Sequence, residues 1–235
     1  MLVAAAVCPC PPLLVPEVAA GAAPELDRAR AACFDAVAVL AAARPDRLLL
    51  VGTAPEAESG DYPAGSHGSF RGFGVAIDVR LGAGEPGPRE LPPSLTVGAW
   101  LLERTGWQAA PVAASALPDT LPPADCLAAG RELAAGDERL ALLVLGDGSA
   151  CRSAKAPGAW DERAEPFDAA VANALAAADG QALAALDPAL ARQLHVAGRA
   201  GWQLLAGAAE RADLAGRLLH DDAPYGVGYL VASWS

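Results

Sequence analysis

Leu2-Val3-Ala4-Ala5-Ala6-Val7 runs straight into Cys8-Pro9-Cys10-Pro11-Pro12, and Leu13 to Glu17 (L-L-V-P-E) follow at once. A short run of small and β-branched apolar residues bounded by prolines predicts a strand buried on both faces. The prolines fix φ, remove N–H donors and push the residue ahead of each into extended geometry. The strand therefore ends in stiff, non-repetitive backbone, which is where open α/β folds hold their ligands.

Outward from this stretch, strands and helices alternate. Pro24-Glu25-Leu26-Asp27 places proline and acids at a helix start, and Pro45 stops that helix after about Ala43. Arg47 to Gly52 reads as a second buried strand, so the β-helix-β order predicts a parallel pair. Thr53 to Gly72 is loop-like, Gly74 to Leu81 reads as a strand, and Gly82 to Pro93 is a Gly/Pro linker. A helix over Leu95–Arg104 is capped by Gly106. A strand follows over Ala110–Ala114, then a helix over Ala124–Ala135.

Leu140 to Leu145 is the third strong strand and enters Gly146-Asp147-Gly148-Ser149. A long irregular loop carrying Lys155 and Trp160 comes next. Helices are expected over Pro166–Ala178 and, as one continuous element capped by Asp187, over Pro188–Ala209. Tyr225 to Trp234 closes the chain as a strand. The expectation is an α/β fold in which residues 1–235 form one three-layer domain. Its central sheet is mostly parallel or mixed, with helices on both faces.

Composition narrows the function classes. The 235 residues are 53% hydrophobic, enough for a real core. Lys155 is the only lysine, a usage that reads as the codon bias of a GC-rich bacterial genome. A net charge of −11 and the absence of clustered Lys and Arg argue against nucleic-acid binding. Five cysteines without disulfide-scaffold spacing or a C-x-x-C pair read as free thiols in a reducing compartment. The apolar start is too short and proline-broken for a membrane span, and it lacks a basic leader, so the expected location is cytoplasmic.

Four stretches, in chain order, carry a resemblance. P-C-P-P-L-L-V-P-E (Pro9–Glu17), G-S-F-R-G-F-G (Gly68–Gly74), the run from Gly146 to Asp168 (G-D-G-S-A-C-R … A-P … F-D) and D-A-P-Y-G-V-G-Y (Asp222–Tyr229) span the chain at plausible spacing. Together they resemble the class III extradiol ring-cleavage dioxygenases. That resemblance implies iron(II) held by two histidines and a carboxylate, with another histidine moving protons. At the matching positions this chain has Cys10, Thr53-Ala54-Pro55, Asp222, and Ala150 or Cys151. One of the four groups, the carboxylate, is chemically retained. The resemblance therefore implies the fold and a pocket with a degraded iron site, in a small-ligand or partner-binding relative that needs no cofactor.

The pocket expected on these grounds contains Cys10, Thr53, Ala54, Asp147, Lys155, Trp160 and Asp222, of which Lys155 and Trp160 suit an acidic or aromatic ligand. Cys10, Asp147 and Cys151 are the catalytic candidates. A residual enzyme would be a metal-dependent oxidoreductase or a thiol enzyme. His220 and Asp222 alternate, so an extended segment presents both on one face. With a Cys10 thiolate they would form a mixed set suited to zinc more than iron. His67 in its Gly/Ser-rich loop reads as solvated, and His195 as a helix flank. A homodimer is left open.

Overall fold

The computed structural model describes all 235 residues. Its centre is a seven-stranded mixed sheet built from β1 (Leu2–Cys8), β2 (Arg47–Ala54), β3 (Gly60–Tyr62), β6 (Val112–Pro118), β7 (Leu140–Leu145), β8 (Gly216–Asp222) and β9 (Tyr229–Trp234). The order is β3-β6-β2-β7-β1-β9-β8. The four central strands, β6, β2, β7 and β1, run parallel, while β3, β9 and β8 each join antiparallel. Strands β4 (His67–Ser69) and β5 (Asp78–Arg80) form a separate hairpin.

Alternation along the central strands feeds two cores, as a doubly covered sheet requires. Leu48, Leu50, Ala141, Leu143 and Leu145 face α2 (Asp27–Ala42) and α3 (Pro93–Thr105). Leu49, Val51, Leu140, Leu142 and Val144 face α5 (Ala164–Ala177) and α8 (Arg199–Ala209). The α/β, three-layer expectation holds. Helix α4 (Pro123–Ala134) packs beside α8 on the second face. No helix is long and apolar enough to cross a membrane.

Several local expectations are corrected. The first long helix starts at Asp27, after a tight 3-10 stretch over Ala20–Leu26 that contains Pro24. Of Gly74–Leu81, Asp78–Arg80 alone is strand, and the last strand begins at Tyr229, four residues later than expected from Tyr225. The predicted helix over Pro188–Ala209 breaks into α7 (Pro188–Gln193) and α8. His195 adopts φ 54°, Val196 N–H reaches Ala191 O at 2.9 Å and His195 N–H reaches Arg192 O at 3.2 Å. That pair of bonds around a left-handed residue is a Schellman ending, formed here by histidine in the place glycine usually takes.

Candidate functional site

The parallel strands bring Cys10, Thr53 and Asp147, at or just past the ends of β1, β2 and β7, to one edge of the sheet. Two crevices open there. Strand β1 leads to α2 on one face while its neighbour β7 leads to α5 on the other. Likewise β2 leads to α3 on the first face and β6 to α4 on the second. Adjacent strands whose connections depart to opposite faces leave a gap at their carboxyl ends, the usual ligand position of such sheets.

In the β1/β7 crevice the gap is closed by protein. Cys10 N–H donates to Asp147 Oδ1 at 2.8 Å, and Gly146 N–H donates to Cys8 O at 3.0 Å. Burial pushes the Asp147 carboxyl up to about 7, partly offset by the Cys10 N–H bond. The Cys10 thiol is pushed well up by burial first and by Asp147 second, so its neutral form is favoured. Buried Tyr229 is likewise raised, by burial and then by Asp147.

Between the crevices lies the stretch that joins α7 to α8. Gly198 N–H donates to Asp147 O at 2.9 Å, and Thr53 Oγ1 donates to Ala197 O at 3.1 Å. The Ala197–Gly198 backbone thus spans the ends of β7 and β2. Its approach is so close that a Cβ on Gly146 would overlap Gly198 Cα. The position where the resemblance implies a second metal histidine is covered by this backbone.

The β2/β6 crevice is open. It forms a cleft of about 400 Å³ bounded by Thr53 and Ala54 from β2, Asp119 and Thr120 after β6, and Arg192 and His195 from the end of α7. Arg199, the first residue of α8, forms part of the wall and is 5% exposed. Its guanidinium donates to Asp119 O at 2.5 Å, Leu121 O at 2.6 Å and Gln203 Oε1 at 3.0 Å.

Of the expected pocket, Thr53 and Ala54 line this cleft, and Cys10 and Asp147 meet in the closed crevice. The others are corrected. Lys155 is exposed and Trp160 is 62% exposed, because the loop carrying them arches over solvent. Asp222 is exposed and accepts from its own neighbour, Ala223 N–H, at 2.7 Å. It lies on β8, the edge strand two places from β1. His220 is half-buried, which lowers its pKa against the pull of Asp222 and Asp221. Cys151 is buried with Sγ on Leu194 O at 3.5 Å, and burial raises its thiol pKa, disfavouring a nucleophilic thiolate. His67 is exposed on β4, as its loop composition suggests.

The donor set does not fit an iron(II) site. No three His, Cys, Asp or Glu side chains converge where they could share an ion, Cys10, His220 and Asp222 included. The best-built polar group near the edge is instead Asp168, 1% exposed, which accepts from Ser149 N–H at 2.8 Å and Ser149 Oγ at 2.7 Å. It pins the loop after β7. Asp119, Arg192 and Arg199 were absent from the sequence-based candidates. Arg199 reads there as the polar flank of a long helix, and nothing local shows that the helix breaks just before it.

No protein family and no curated protein matches the chain. Among solved structures it is similar to the crystal structure of uncharacterized protein JW3007 from Escherichia coli K12, with 12% identity, a TM-score of 0.57 and 99% of each chain covered, a likeness of fold.

Proposed function

We propose that this chain is a class III extradiol dioxygenase-like protein that binds a small ligand at the carboxyl edge of its sheet and does not cleave aromatic rings. The observation that carries the reading is the open β2/β6 cleft beside a β1/β7 crevice filled by the chain's own backbone. A crevice at parallel strand ends is where this architecture binds small molecules. Replacing two imidazoles by a neutral thiol and a backbone-bonded threonine removes the ligands that select iron(II). Five free cysteines fit a reducing compartment such as the cytoplasm.

The test is oxygen uptake with added iron(II) and a panel of catechols that includes protocatechuate. The expected rate equals the free-iron background, and turnover well above it overturns the reading. One observation favours a second reading, proton-transfer chemistry at Asp147, because a carboxyl held near 7 suits a general acid or base. Under that reading Cys10 would take part as a thiol. Iodoacetamide labelling separates the two: a Cys10 that alkylates faster than glutathione at pH 7 supports the enzyme, and a slower one supports the binding protein.

A further inference from the structure

Arginines buried or half-buried in this molecule have carboxylate partners, with one exception. Arg30, 8% exposed, pairs with Asp27 at 2.5 Å; Arg47 pairs with Glu138 at 2.6 Å; Arg152 faces Asp168 at 3.7 Å. Arg199 is the most buried of them, and every acceptor it meets is neutral: two backbone carbonyls, an amide oxygen and the Cys126 sulfur. Those bonds use its two terminal nitrogens and leave Nε–H without a protein acceptor. A guanidinium cannot shed its proton to escape this, so its charge stays in a poorly hydrated place without a counter-charge.

The surroundings add to the same sign. Arg199 opens α8, whose N-cap Gly198 supplies no side-chain cap and whose first turn holds no acid. The positive end of an eleven-residue helix dipole is therefore uncompensated at the cleft. Arg192 and His195 line the same cleft, exposed, and Arg192 makes no ion pair. Against them stands one carboxylate, Asp119, exposed at the mouth and bonded to none of the three through its side chain. In a chain of net charge −11 this is a local reversal of sign inside a concavity.

We propose that the β2/β6 cleft binds a small organic anion, a carboxylate or phosphate monoester, whose charged group supplies the counter-charge that Arg199 lacks and is gripped by Arg192 and His195. The proposal rests on the small-ligand reading and adds the ligand's chemistry to it. A cleft of about 400 Å³ accommodates a molecule of roughly metabolite size.

The test is amide chemical-shift titration of the full chain at low ionic strength with three probes: inorganic phosphate, benzoate and neutral benzyl alcohol. Phosphate and benzoate distinguish the two anionic groups. At least one should move the amides of Thr53, Ala54 and Thr120 with a dissociation constant on the order of 1 mM or tighter. Arg192→Gln and His195→Gln change exposed side chains, so the fold is kept, and each should weaken that binding by about threefold to tenfold. Asp119→Asn should tighten it by about twofold to threefold. Cleft shifts from benzyl alcohol alone overturn the anion proposal and leave the small-ligand reading standing. No cleft shifts from any probe up to about 20 mM overturn both. Anion shifts indifferent to Arg192→Gln and His195→Gln also overturn the proposal.

Discussion

The β1/β7 and β2/β6 strand pairs end on the same sheet edge, and each sends its chain to opposite faces of the sheet. One gap is filled by the Cys10–Asp147 bond and the Ala197–Gly198 backbone, whereas the other holds a cleft with three cationic side chains. The difference shows that topology supplies a crevice but does not decide what occupies it. Occupancy is set by a distant piece of chain, the α7–α8 connection, whose path depends on one left-handed histidine. It also shows two fates for buried charge. Asp147, a weak acid, answers burial by holding its proton, while Arg199 has no such option and stays charged.

The comparison breaks most readily at the Gly146–Gly198 contact. Gly146→Ala drives a methyl into backbone that has little room to retreat, so a loss of about 3 kcal/mol or more is expected in urea unfolding. Gly72→Ala, with nothing within 4 Å, is the control and should stay within about 1 kcal/mol of the parent. Equal midpoints for the two variants would mean that the backbone crossing is not tight.

A smaller effect separates the titrating crevice from the permanently charged one. Folded Asp147 keeps its proton up to about 7, whereas an unfolded aspartate loses it near about 3.9. Between those values the native state binds more protons, so stability falls as pH rises, and the loss is complete above pH 7. Asp147→Asn retains an acceptor for Cys10 N–H but removes this loss. It should be more stable than the parent at pH 8 by roughly 2 kcal/mol, with the difference vanishing by about pH 4. Parallel pH profiles for the two proteins would show that the carboxyl is not held in this way.

The smallest effect is expected at Asp222. Its one protein hydrogen bond is to the next residue's N–H at an exposed position, so Asp222→Ala should change stability by less than about 0.5 kcal/mol. A loss several times larger would restore a structural role to that carboxylate.

The parts of this molecule that were legible in the sequence are those where one physical effect dominates. Strands β1, β2 and β7 are buried on both faces, so they read as unbroken apolar runs, and their parallel order placed Cys10, Thr53 and Asp147 on one edge. Strand β8 (G-R-L-L-H-D-D) escaped because an edge strand needs no continuous apolar run and ends here in two acids. Strand β3 has three residues, too few for any period to show. The break at His195 was hidden because the left-handed turn is stabilised by bonds to Ala191 and Arg192 and carries no glycine signal. That hidden break also concealed the cleft, since Arg199 becomes a wall residue only when α8 starts afresh at its position. Lys155 and Trp160 misled for the converse reason: an aromatic and a cation in a loop suggest a ligand, but nothing in the sequence says which way the loop faces.

Strand β8 bonds to β9 along one side and has no strand on the other, so its outer row of peptide groups is a ready template for a second chain. Arg217, Asp221 and Asp222 are exposed along that strand. Two identical molecules approaching edge to edge in antiparallel register would have to bring these acids toward one another and strip them of water. The carboxylate at position 222, which holds no ion in common with Cys10, thus has a use in keeping a concentrated solution of this protein from polymerising through its sheet. Light scattering of the Asp222→Val protein across a concentration series, with growth expected where the parent shows none, reads that contribution directly.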